Sequence, residues 1–98
     1  MSGIYILSLR EWRNAIKLRP DLVIENADGE LIVLDKEAGK VHQLNSSASF
    51  IWTCLGDGLA IDEIALMLSE AFDVKPETAL SDVRAALVQF EELALIVE

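Results

Sequence analysis

The apolar positions change period three times along the chain, and each change marks a structural boundary. Leu9, Trp12 and Ile16 recur at helical spacing within residues 8–18. Ser8 and Glu11 have the spacing of a capping box, and Leu7 and Trp12 flank it as a hydrophobic staple. Pro20 stops this helix, because the residue before a proline avoids the α region. From residue 21 the pattern becomes that of strands. Leu22-Val23-Ile24 is one β-branched run. Ala27-Asp28-Gly29 is a turn signal with Asp-Gly at its centre. Leu31-Ile32-Val33-Leu34 is apolar at every position, which predicts a central strand covered on both sides. After a turn over Asp35–Gly39, Lys40-Val41-His42-Gln43-Leu44 is a third strand of imperfect alternation.

Beyond residue 45 the helical period returns. Asn45 or Ser46 can cap a helix ending near Leu55, with Ala48, Ile51, Trp52 and Leu55 on its apolar side. Gly56-Asp57-Gly58 ends it. Ile61, Ile64, Ala65 and Leu68 form the stripe of a second helix over residues 61–72. Pro76 suits the first turn of a third, whose expected face is Leu80, Val83, Leu87 and Phe90, with Leu93 extending it. Leu95-Ile96-Val97 is a short apolar end, either a strand stub or core filler. The predicted fold is α+β and winged-helix-like: a three-stranded antiparallel sheet followed by three helices, with a short N-terminal helical extension. Such a sheet needs helices against it to be stable.

Composition fits this reading. A 98-residue chain, 52% apolar, is one domain able to bury a modest core. No apolar run approaches the roughly 20 residues that span a bilayer, and the N-terminus lacks a secretory pattern. With one cysteine, Cys54, the expected compartment is the reducing cytoplasm. Charge is uneven: residues 1–19 carry +3 (Arg10, Arg13, Lys17 and Arg19 against Glu11) and the remainder −12, within a total of −9. An acidic body repels phosphate backbones, so nucleic acid is not an expected partner, and neither is a membrane.

Candidate chemistry is sparse. His42 and Cys54 would have to meet, with the thiol pKa lowered, to make a catalytic dyad; a lone cysteine beside Ile51 and Trp52 reads as a small core residue. One His and one Cys cannot build a zinc site. Asp62-Glu63 and Glu91-Glu92 are adjacent on helices and diverge, and Gly56-Asp57-Gly58 is too short for a phosphate loop. We expect no catalytic residue, metal or cofactor. A physical opening remains: the meander leaves edge strands with unpaired backbone groups, able to template an added strand.

Several short segments, in order, resemble the family of the pyrroloquinoline quinone biosynthesis protein D (PqqD-like), the RiPP recognition elements. They are Leu18-Arg19-Pro20, Gly39-Lys40-Val41-His42-Gln43-Leu44-Asn45, Ser47-Ala48, Ile51-Trp52, Gly58, Glu63-Ile64, Asp82-Val83, Leu87 and Leu95-Ile96. The resemblance implies a PqqD-like peptide-binding domain over residues 18–98 and an N-terminal extension over residues 1–17. It implies a peptide chaperone of natural product biosynthesis, with no activity of its own. The precursor's leader peptide would lie as an added strand against Lys40, Val41, His42, Gln43 and Leu44. The third helix would supply Leu80, Arg84, Leu87 and Val88, and the peptide would be presented to a modifying enzyme such as a radical-SAM maturase. The competing readings are a winged-helix DNA-binding protein, disfavoured because Arg84 faces Asp82, Glu91 and Glu92 on the third helix, and a homodimer built through the open edge. Three departures from the family stand out: Ala60 in place of a capping threonine, Ala94 in place of a glycine before the final apolar pair, and residues 1–17 outside the usual domain.

Overall fold

The structure is a computed structural model that describes residues 16–97. Strand β1 (Lys17–Leu18) is followed by β2 (Val23–Ala27), β3 (Glu30–Asp35) and β4 (Lys40–Gln43). Helices α1 (Ser46–Gly56), α2 (Ile61–Phe72) and α3 (Pro76–Glu92) come next, and β5 (Ile96–Val97) closes the chain. The antiparallel sheet has the order β2-β3-β4, so the all-apolar run is the central strand. It is not covered on both sides as expected: Val33 and Asp35 are buried on the helix side, while Ile32 and Leu34 on the opposite face are only half-buried. The expected capping box and staple lie outside the described residues. The end of the expected N-terminal helix is different: Lys17 and Leu18 are extended and pair with Val97 and Ile96. The stub at the C-terminus thereby gains a partner that local periodicity could not reveal.

The turns follow from their residues. Ala27 pairs with Glu30, leaving a two-residue loop in which Asp28 and Gly29 both have positive φ, at 56° and 87°. That is a type I′ hairpin, whose twist matches the strands. Asn26 closes it by accepting the Gly29 N–H at 2.8 Å. Asn45 is the α1 cap, its Oδ1 accepting from the Ala48 N–H at 2.9 Å. Ala60 offers α2 no side-chain cap, yet the reciprocal half of the box is kept: its N–H donates to Glu63 at 2.9 Å.

The helices cover one face of the sheet and bury Val33, Ile51, Ile64, Leu68, Val83, Phe90 and Leu95 between the layers. Trp52 of α1 meets Phe90 of α3 edge to face, with centroids 5.2 Å apart. Ser49, buried in α1, donates to the Leu44 carbonyl at 3.2 Å and accepts from the Leu31 N–H at 2.8 Å. One hydroxyl thus satisfies two backbone groups where the sheet ends. The buried stripe of α3 is Ala79, Val83, Ala86 and Phe90. Val83 and Phe90 of the expected face lie in it, while Leu80 and Leu87 sit half-buried at its margin. Small alanines mark the centre because other elements approach closely there.

Ala94 has φ +57°, a left-handed conformation that costs a residue with a Cβ about 1 kcal/mol. This is the physical reason for a glycine at such a position. Ala94→Gly is expected to raise the denaturant midpoint by the equivalent of about 0.5 kcal/mol, since the greater freedom of an unfolded glycine offsets part of the relief. A lower midpoint in urea titration would contradict this.

Candidate functional site: an open strand edge beside helix α3

The site is built on β4, which among the described residues has a neighbour on one side only. In an antiparallel pair successive residues direct their backbone groups to alternate sides. The Leu44 N–H donates to the Leu31 carbonyl at 2.8 Å, which sets the parity. His42, opposite Val33, and Lys40, opposite Asp35, therefore also direct their backbone groups to β3. Val41 and Gln43 direct theirs outward. The open edge consists of these two residues' N–H and C=O groups, spaced as a further antiparallel strand requires.

The side chains divide just as cleanly. Val41 and Gln43 lie on the sheet face away from the helices, beside Leu34 and Ile32. Val41 is 66% exposed, and the Gln43 amide donates to Glu30 at 3.1 Å. His42 and Lys40 lie on the helix side. Leu44, expected among the peptide contacts, is 3% exposed and belongs to the core, with its N–H already used.

Two cavities lie against α3, one beside the start of α1 and one beside β4. The first, about 230 Å³, lies between Asn45, Ser47, Ala48 and Ile51 on one side and Asp82, Ala85, Ala86 and Gln89 of α3 on the other. The second, about 460 Å³, lies between Lys40 and His42 of β4 and the end of α3 at Glu92, Leu93 and Ala94, with Arg19 and Asp35 at its base. The α3 flank facing the edge is thus Asp82, Ala85, Gln89 and Leu93. The residues expected there are elsewhere. At 100° per residue Leu80, Arg84, Leu87 and Val88 fall on the other flank of α3. Leu80 and Leu87 pack against the core, and Arg84 and Val88 face solvent. Large apolar side chains carry the expectation to that flank, whereas the groove side is lined by alanines that leave room.

Arg19 fixes the base of the groove. Its guanidinium donates to Asp35 at 2.7 and 3.2 Å, to Asp21 at 2.7 and 3.2 Å, and to the Ala94 carbonyl at 3.0 Å. Its backbone N–H also donates to the Leu95 carbonyl. One side chain therefore ties the chain before β2 to β3 and to the turn after α3. Sequence reasoning saw Leu18-Arg19-Pro20 only as a fragment of a family pattern. The hydrogen bonds from Arg19, and then that from the Ala38 N–H, hold the Asp35 carboxyl below the ordinary carboxylate range. A carboxylate whose folded pKa is depressed contributes stability that is complete above the unfolded value, about 3.9, and is lost as pH falls through the folded one. The urea midpoint is expected to fall steeply below about pH 4, and Asp35→Asn should flatten that acid limb while lowering stability at neutral pH. An unchanged acid limb in the variant would assign the effect to other carboxylates.

Cys54 is buried, and burial, followed by the nearby Asp57 charge, pushes its thiol pKa up. That disfavours the thiolate a nucleophile needs. Among the described residues no group of three or more His, Cys, Asp or Glu is placed to hold a metal ion, and no helix is long and apolar enough to cross a membrane.

These features define a class: an α+β domain of a three-stranded sheet and three helices, with an open edge strand facing a helix groove. The sequence profile of coenzyme PQQ synthesis protein D (PqqD) matches residues 30–96, and the chain belongs to that family. Three solved structures share the fold. A lasso peptide synthetase B1 complexed with the leader peptide is 26% identical over 86% of this chain and 99% of that one, with a TM-score of 0.78. TbiB1 in complex with the TbiA(beta) leader peptide is 25% identical over 82% and 93%, with a TM-score of 0.75. The solution structure of the PqqD truncation of Methylobacterium extorquens PqqCD, a stand-alone RiPP recognition element, is 17% identical over 86% and 89%, with a TM-score of 0.70; at that identity it speaks to the fold. No curated protein matches the sequence significantly.

Proposed function

We propose that this chain binds the leader segment of a ribosomally made precursor peptide as a fourth antiparallel strand on β4 and presents the precursor to a separate modifying enzyme, taking no part in the chemistry itself. The observation that carries the reading is the outward pair of Val41 and Gln43 beside the α3 groove. A peptide strand there gains main-chain bonds from the edge and side-chain selection from the groove. The likeness to two proteins solved with leader peptides supports it. The enzyme partner is of the class that modifies such precursors, a radical-SAM maturase among them. The family expectation named Lys40, Val41, His42, Gln43 and Leu44 with Leu80, Arg84, Leu87 and Val88. The geometry favours backbone contacts at Val41 and Gln43, side-chain contacts at Lys40 and His42, and a wall of Ala85, Gln89 and Leu93. DNA binding is the weaker reading, since Arg84 is the one cation on α3 against Glu77, Asp82, Glu91 and Glu92. A homodimer formed through β4 would compete with the peptide, so leader addition would dissociate it.

The test is a titration of isotope-labelled protein with the leader half of the precursor encoded beside its gene. Val41 and Gln43 amides are expected to shift most and to become protected from exchange. Saturable binding that leaves both amides unprotected would reject β4 as the docking edge.

A further inference from the structure

The first described residues border a cavity at the far end of α1 from Asn45. About 330 Å³ of space lies between residues 16–18 on one side and Leu55, Gly56, Gly58 and Leu59 on the other. Its walls are leucine and isoleucine side chains and glycine backbone, with Lys17 as the charged residue among them. Ile16, Leu18 and Leu59 are half-buried, each packed on the core while part of its surface stays open. The glycines leave the room. Gly56 ends α1, and a Cβ there would meet the Leu18 Cδ1 at 3.6 Å, an ordinary contact on the wall of the cavity.

The chain itself supplies a nearby apolar group. Trp12 stands four residues before Ile16. Four residues span about 6 Å in a helix and at most about 14 Å when extended, so the indole cannot leave the neighbourhood of the cavity. So short a tether gives an effective concentration on the order of millimolar, which a free peptide or a second copy of the chain would have to exceed. Leu9, Trp12 and Ile16 share one face at helical spacing, and Ile16, the last of that stripe, is already on the cavity wall. An indole removes about 150–250 Å² from water when buried, the largest gain any single side chain offers such a site.

Charge favours the same placement. α1 has no basic residue in its last turn, and Asp57 stands between the two lining glycines. The C-terminal end of a helix also carries a partial negative charge. Arg10 and Arg13 flank Trp12, and residues 1–19 carry +3 against −12 for the remainder. We infer that this cavity is the seat of the chain's own N-terminal segment, with the Trp12 indole against Leu18, Leu55 and Leu59 and Arg13 toward Asp57. The seat lies about 16 Å, the length of the 11-residue helix α1, from the cavity beside Asn45 and Asp82. It therefore leaves that part of the proposed peptide site open, and it stands whether or not a leader binds.

NMR of the full chain tests this, with the indole N–H resonances of Trp12 and Trp52 told apart by Trp12→Phe. Trp12 is expected to show NOEs to the methyl groups of Leu18, Leu55 and Leu59 that persist on dilution. Gly56→Leu, which fills the cavity from its wall, should abolish them and return the Trp12 indole to its shift in urea, while the NOEs between Trp52 and Phe90 stay. Trp12→Ala should lower the urea midpoint, and Trp12→Phe should restore most of it. A wild-type Trp12 indole at its unfolded shift, or a midpoint that Trp12→Ala leaves unchanged, overturns the seat. NOEs that fade on dilution would give the cavity to a second copy, and NOEs from Trp12 to Val41 or Gln43 would place the segment on β4; either result overturns it too.

Discussion

Val41→Pro is expected to weaken leader binding by roughly ten- to a hundredfold while the domain stays folded. The substitution removes the Val41 N–H, one of the two outward donors of β4, and leaves a peptide carbonyl facing no donor in a newly covered strand. An unsatisfied buried group of this kind costs about 1–3 kcal/mol, which sets the range. The fold should tolerate the change because this N–H points away from β3, and proline is accepted on edge strands in that orientation. Val41→Thr is the control: it keeps the N–H and the β-branched shape, so affinity should change less than about threefold. Calorimetric titration of the three proteins with one leader peptide separates backbone from side chain. Equal affinities for wild type and Val41→Pro, with native circular dichroism, would mean that the peptide strand does not bond to this edge.

Much of this edge is legible in the amino-acid sequence. The Lys40–Leu44 run, its place after a turn and the central apolar strand preceding it are local patterns, and periodicity reports local patterns well. Parity is not legible there. It depends on the bond between Leu44 and Leu31, made by residues far apart in sequence. Leu44 looks like a member of the edge for the same reason; only the long-range pairing shows that its N–H is spent and its side chain buried.

The buried face of α3 is only partly legible in the sequence, for a different reason. Hydrophobic periodicity weights large side chains: it finds the buried Val83 and Phe90 but also draws the half-buried Leu80 and Leu87 onto the expected face of α3. The true centre, Ala79 to Phe90 through Ala86, is set by how closely neighbouring elements approach, and alanine carries little signal of that. Arg19 and Ser49 are invisible as linchpins because each acts through partners from distant segments. The strand pair β1–β5 joins the two ends of the described chain, and no window of a dozen residues could contain it.

The placement of that face leads to the second large effect. Phe90→Ala is expected to destabilise the domain by about 3–5 kcal/mol, the usual cost of emptying a fully buried aromatic site. Phe90 is completely buried and meets Trp52 edge to face, so truncation removes both area and an aromatic pair that holds α3 against α1. Domains of this size have about 5–15 kcal/mol to lose, so the variant should be marginal at room temperature. The effect should reach function too. Gln89 and Leu93 flank Phe90 on the groove side, and a loosened α3 no longer holds them opposite β4. Under conditions where the variant is still mostly folded, leader affinity should fall beyond what the unfolded fraction accounts for. Phe90→Leu, which refills most of the volume, should restore most of both quantities. Urea titration gives the first and calorimetry the second. A loss below about 1 kcal/mol would show that Trp52 can collapse into the space, and unchanged affinity in the folded fraction would show that the peptide reads the strand edge without the helix.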